Sequence, residues 1–136
     1  MTKEDLEGIV EILKDKDILK RHREIGKSVR IAVKEAGLNL YNENGYSNTV
    51  TAIEVPEGID ESKLRKYMVD NFNVLIAGSF GYLQGRVVRI GHMGENAKKD
   101  MVSYTLYSLQ KSLEKFQFYC QCDMANCFLN NVESFK

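Results

Sequence analysis

The 136-residue chain has a single proline, only two histidines and only three cysteines. Three is an odd number, and Cys120, Cys122 and Cys127 all lie near the C-terminus. That excludes a disulfide framework as the organising device and fits reduced thiols in a cytoplasmic protein. The C-x-C-x4-C run also falls short of a zinc site, which normally needs four ligands, and no histidine or fourth cysteine is near it. An excess of charge of one sign is absent too. Nineteen Lys and Arg balance nineteen Asp and Glu, for a net charge of 0, so the totals give no electrostatic footprint for nucleic acid. The basic residues between positions 14 and 30 are interrupted by Asp15, Asp17 and Glu24 and carry no interleaved aromatics, which reads as a solvated helix face. No apolar run is long enough to span a bilayer, so no membrane partner is expected. The start, Met1-Thr2-Lys3-Glu4-Asp5, has no signal-peptide pattern. Ser28, Ser47, Ser79 and Ser103 sit in no nucleophile-elbow or Ser-x-x-Lys setting, which leaves serine catalysis without support.

Hydrophobic residues make up 43% and charged residues 28%, an ordinary globular composition in a chain long enough to bury one core without staples. Residues 3–36 read as a long N-terminal helix. Thr2 can cap it, Leu6, Ile9, Val10 and Leu13 recur at helical spacing, and after Asp15-Lys16-Asp17 the stripe resumes with Ile18, Ile25, Val29, Ala32, Val33 and Ala36. One continuous helix and two helices hinged at 15–17 both fit. Gly37 suits the left-handed position that ends a helix.

Four short β segments are expected beyond it. Residues 38–41 are followed by the turn-rich Asn42-Glu43-Asn44-Gly45. Residues 49–55 are dense in β-branched side chains and end at Pro56 and Gly58. Residues 74–77 and 86–90 are separated by a glycine-punctuated loop, 78–85. Asp60 looks like the N-cap of a helix with an apolar stripe of Leu64, Tyr67, Met68 and Phe72. A further helix runs from about Ala97 through Leu113 to Phe116. The order predicts an α+β fold, a two-layer sandwich with a small, mostly antiparallel sheet and helices packed on one face. It is one domain over residues 1–116, with residues 117–136 as a C-terminal extension beyond a completed core.

Chemistry concentrates in residues 86–94. Arg89 lies near the end of a strand that stops in a glycine turn, and its rigid fork of donors can hold a planar carboxylate in a bidentate pair. Strand alternation puts Arg86 and Arg89 on opposite faces, so they are not one site. Taken alone, an arginine of this type is most often a surface or structural ion pair. Gly78, Ser79, Gly91 and His92 are the residues expected to line a site around Arg89. His92 by itself reads better as a turn histidine than as a base or ligand. Loop 78–85 can bring amides to an anion but lacks the endings of phosphate-binding loops, so a plain connection between strands stays the simpler reading.

Four pieces occur in order: Ser47-Asn48-Thr49-Val50-Thr51-Ala52-Ile53, Val55-Pro56-Glu57-Gly58-Ile59-Asp60, Ile76-Ala77-Gly78, and Gly85-Arg86-Val87-Val88-Arg89-Ile90-Gly91-His92-Met93-Gly94. With Arg21-His22-Arg23 in the long helix, they make the chain from about Asp17 to Lys115 resemble the C-terminal small domain of class V, fold-type I pyridoxal-phosphate aminotransferases, in the alanine–glyoxylate or serine–pyruvate group. The resemblance implies that Arg89 grips the α-carboxylate of an amino-acid or keto-acid substrate. Ser79 and Gln84 depart from it, standing where glycine and lysine are common in the family. No lysine here lies in a Schiff-base motif, and the family's cofactor-binding groups belong to its large domain.

The expectation is therefore a truncated, separated small domain. No pyridoxal phosphate is expected on this chain alone, and no transamination by it. Its expected partners are a small carboxylate or amino acid, the missing large domain or further copies in a homo-oligomer. The alternative is a non-enzymatic module that binds a small carboxylate or drives oligomerisation.

Overall fold

The computed structural model describes residues 2–41, 50–79, 81–92 and 98–133, and within residues 4–18 the backbone only. Helix α1 (Lys3–Glu35) is one continuous helix, which settles the alternative of a hinge at 15–17. The side chains of its first stripe, Leu6 to Leu13, lie outside the described residues. The second stripe behaves as its spacing predicts: Ile25, Val29, Ala32, Val33 and Ala36 are buried. Gly37 ends the helix at φ +90. Its N–H donates to Lys34 O at 3.0 Å, and the N–H of Leu38 donates to Val33 O at 3.2 Å. This pair of bonds satisfies two carbonyls that a helix end would otherwise leave open, and it drops Leu38 into the core beside Val33.

Strands β1 (Val50–Glu54) and β2 (Val87–Gly91) form an antiparallel ladder with Ala52 opposite Arg89 and Ile53 opposite Val88. The segments expected as outer strands contribute single bridges, Leu40 to Ile53 and Ala77 to Arg89. Residues 38–41 and 74–77 thus flank the ladder without extending it. The described helices include α2 (Glu61–Phe72), α3 (Lys99–Lys115) and α4 (Met124–Glu133). The α+β class stands. Turn 42–45, Ser47 to Thr49, Phe80, Met93, Gly94 and Ala97 lie outside the described residues.

Alternation assigns the ladder two faces. Ile53, Val88 and Ile90 join the residues of α1 to α4 in one hydrophobic core. Thr51 and His92 fall on that same face. Both are buried, with Thr51 Oγ1 2.8 Å from His92 Nε2. The other face carries Ala52, Arg89 and Gly91, none of them fully buried, and Val87, which is buried at the start of β2. Asp60 caps α2 as its sequence suggests, accepting from the N–H of Lys63 at 3.1 Å.

Residues 117–136 do not follow a completed core. Met124, Phe128 and Val132 of α4 are buried in the same cluster as α1 and α3. The connection is stitched at both sides. The N–H of Gln121 donates to Ala36 O at 3.0 Å, and that of Met124 to Gln110 Oε1 at 2.9 Å. Asp123 accepts from the N–H of Asn126 at 3.2 Å, which makes it the cap of α4. Cys122 and Cys127 meet across that cap, one residue before it and four residues after it. Those are the positions of an apolar staple at a helix start, here built from two thiols. Cys120 packs against the core, and burial, with lesser contributions from Glu114 and Cys122, pushes its thiol up to about 11. The three cysteines are free thiols. No helix among the described residues is long and apolar enough to cross a membrane.

Candidate functional site

β2 sets Arg89 on the open face of the ladder and holds its backbone from both sides. Its N–H donates to Ala77 O at 2.7 Å, and its carbonyl accepts from the N–H of Ala77 at 3.0 Å. One residue on, the side-chain Nε donates to Gly78 O at 2.9 Å. Backbone register and side-chain rotamer are therefore fixed together, with the Nε–H committed to the Gly78 carbonyl.

Arg89 lines a groove of about 710 Å³ between the start of α2 and the segment 77–85. Gly78 and Ser79 line it as expected, joined by Ser62 and Gln84, so hydroxyl and amide groups surround the guanidinium. A side chain at Gly78 would push on the Glu61–Arg65 pair. A Cβ would stand 2.7 Å from Glu61 Oε1 and 3.2 Å from Arg65 Cζ.

Gly91 and His92 are not brought to this groove. Gly91 shares Arg89's face but lies one pleat further on, in a separate depression with Leu75 and Met101. His92 has the opposite parity, points into the core and is fully buried against Thr51. It is a core histidine, and strand alternation carried that signal. Arg86 also stands apart, in another groove of about 650 Å³ with Tyr41, Glu54 and Tyr82. There the hydrogen bond with Tyr82, 3.3 Å away, raises the pKa of the Tyr41 hydroxyl, followed by Tyr82's charge, while Arg86 opposes the shift.

Two groove residues escaped the sequence reading, Glu61 and Arg65. Their signal was a Glu–Arg pair at i,i+4 immediately after a helix cap. Glu61 is only 4% exposed and binds Arg65 Nε through Oε1, with a second contact from Arg65 Nη2 to Oε2 at 3.3 Å. A carboxylate this buried persists because its charge is paired.

The groove thus presents two guanidinium groups, of Arg89 and Arg65, with serine hydroxyls and the Gln84 amide along its lining. No lysine among the described residues lines it, so none of them could hold pyridoxal phosphate there as a Schiff base. Among the described residues no cluster of three or more metal-binding side chains occurs.

No protein-family model matches the chain. An uncharacterized aminotransferase of Methanocaldococcus jannaschii is 35% identical over 101 residues, 74% of this chain and 26% of that protein. An alanine–glyoxylate aminotransferase of Drosophila melanogaster is 31% identical over 112 residues, covering 81% of this chain and 28% of the relative. The crystal structure of ureidoglycine–glyoxylate aminotransferase from Bacillus subtilis superposes with a TM-score of 0.83 at 29% identity, over 93% of this chain and 34% of that one. Spanning 93% of the chain, that likeness reaches into residues 117–136. The chain spans about a quarter to a third of the length of these relatives. In sequence and in fold, the chain resembles the C-terminal small domain of the class V pyridoxal-phosphate aminotransferases of the alanine–glyoxylate group.

Proposed function

We propose that this chain is the substrate-carboxylate-binding part of a class V aminotransferase and that, alone, it does not transaminate. The observation that carries the reading is the anchoring of Arg89. A guanidinium held by Gly78 O in a groove of hydroxyl and amide donors is pre-organised for a planar carboxylate. Electron-sink chemistry needs a cofactor held and oriented by protein groups, and no lysine among the described residues lines the groove to hold one covalently. Three free thiols agree with a cytoplasmic setting.

Two titrations test the two halves of the proposal. With pyruvate or alanine as probe, the wild-type chain should bind and Arg89→Met should not; equal binding by both removes Arg89 from the site. With pyridoxal phosphate, no specific internal-aldimine band should form, and a stoichiometric band with turnover overturns the inactivity.

Exposed apolar side chains favour a companion reading, contact with further protein. Leu75 is 82% exposed and Tyr82 79%, two large side chains at separate places on the surface. Either further copies of the chain or the rest of an aminotransferase would cover them. A clean monomer by light scattering at high concentration counts against self-association.

A further inference from the structure

We infer that Arg65 is a second ligand arm of the Arg89 groove, and that the ligand is a small carboxylate carrying a second, uncharged oxygen acceptor. This rests on the reading of Arg89 as the carboxylate clamp. Gly78 links the two arginines, since its carbonyl takes Arg89 Nε and its α-carbon lies against the Arg65 guanidinium. Both side chains line the groove. Arg65 is held there by Glu61, which takes Nε and Nη2. Its Nη1 group has no protein partner among the described residues, and the side chain keeps 33% of its exposure. A donor fixed on one edge by Glu61 loses little freedom when it binds.

Charge decides what Arg65 takes. Two cations, Arg65 and Arg89, and two acids, Asp60 and Glu61, line the groove. Glu61 is buried and already offsets Arg65, and Asp60 stands beside it. A second carboxylate at Arg65 would meet the buried Glu61 carboxylate already bound to that guanidinium. A carbonyl or carboxamide oxygen accepts the same N–H without that repulsion. The ligand class is then a carboxylate with a keto, amide or ureido-type oxygen a few atoms away.

Three four-carbon probes separate the possibilities: butyrate, succinate and succinamate, each titrated into the full chain by calorimetry with the arginine Nε–Hε signals followed by NMR. Succinamate should bind at least about tenfold tighter than butyrate, the worth of one hydrogen bond to a charged donor. Succinate should gain no such advantage. Arg65→Met should abolish the preference for succinamate over butyrate. Because that variant strands the Glu61 carboxylate, the double variant Glu61→Gln with Arg65→Met, which removes both charges, should give the same result. Equal binding of succinamate and butyrate by the wild-type chain overturns the inference while Arg89 stands. A preference for succinate overturns the charge argument. Failure of all three probes to bind removes the Arg89 reading and this inference with it.

Discussion

The two faces of one short ladder have opposite roles in this protein. Thr51, Ile53, Val88, Ile90 and His92 alternate onto the face that the helices cover, and all are buried. Ala52 and Arg89, directly opposite each other, take the other face and stay partly open. The helix-covered face is governed by packing and by the pairing of polar atoms. The open face is governed by one guanidinium and the groups that aim it. The lesson is that residues adjacent in sequence within 86–94 belong to different problems, and parity rather than proximity sorts them.

The largest way to break that contrast is Ile53→Ala on the covered face. Such a truncation costs about 2–5 kcal/mol through lost transfer energy and a residual cavity, read as a shift of the urea midpoint at constant slope. A loss comparable to a surface change would place Ile53 outside the core.

Thr51→Val comes next. It keeps the shape but removes the oxygen 2.8 Å from the buried His92 Nε2, and about 1–3 kcal/mol should go with it. A neutral result would mean that His92 finds another partner.

On the open face the loss should be of binding. Arg89→Met should weaken carboxylate binding more than about tenfold, given the worth of charge-assisted pairs, with a smaller change in unfolding free energy than Ile53→Ala produces. If stability falls as far as it does for Ile53→Ala, the arginine is mainly structural.

A smaller, pH-dependent effect separates the tail from both faces. The Cys120 pKa is raised to about 11 from an ordinary 9.0, mainly by burial. A raised folded value means that stability is intact below about pH 9 and is lost as pH climbs towards about 11. Cys120→Val should flatten that alkaline slope, and an unchanged slope would assign it to other groups. Smallest of all, Arg86→Met should leave stability within about 0.5 kcal/mol, as surface changes usually do, with carboxylate binding unaltered. Any loss of binding would join the two grooves into one site.

Much of this was legible in the chain. The helical stripe ending in Gly37, the β-branched run stopped by Pro56, the Asp60 cap and the placing of Arg86 apart from Arg89 all follow from local rules. Arg89 itself stood out by residue type, strand end and family resemblance. The tail carries its own helical stripe, Met124, Phe128 and Val132 at i, i+4, i+8, yet a stripe alone does not say which surface it covers. Only the surfaces of α1 and α3 show that Met124, Phe128 and Val132 have a place to go. Nearness in sequence groups His92 with Arg89 against the alternation that separates Arg86, while Gly91 shares Arg89's parity and lies too far along the strand to reach the groove.

Local chemistry set the elements, because caps, turns and periodicities act within a few residues and need no partner. It also marked the guanidinium, because few side chains can clamp a carboxylate in a fork. Only the tertiary structure brought Glu61 and Arg65 of a helix against Gly78 of a loop, and so gave Arg89 a fixed carbonyl and a second donor beside it. That juxtaposition joins residues 61, 65, 78 and 89, far apart along the chain, through steric fit around one missing side chain, and no periodicity encodes such a contact.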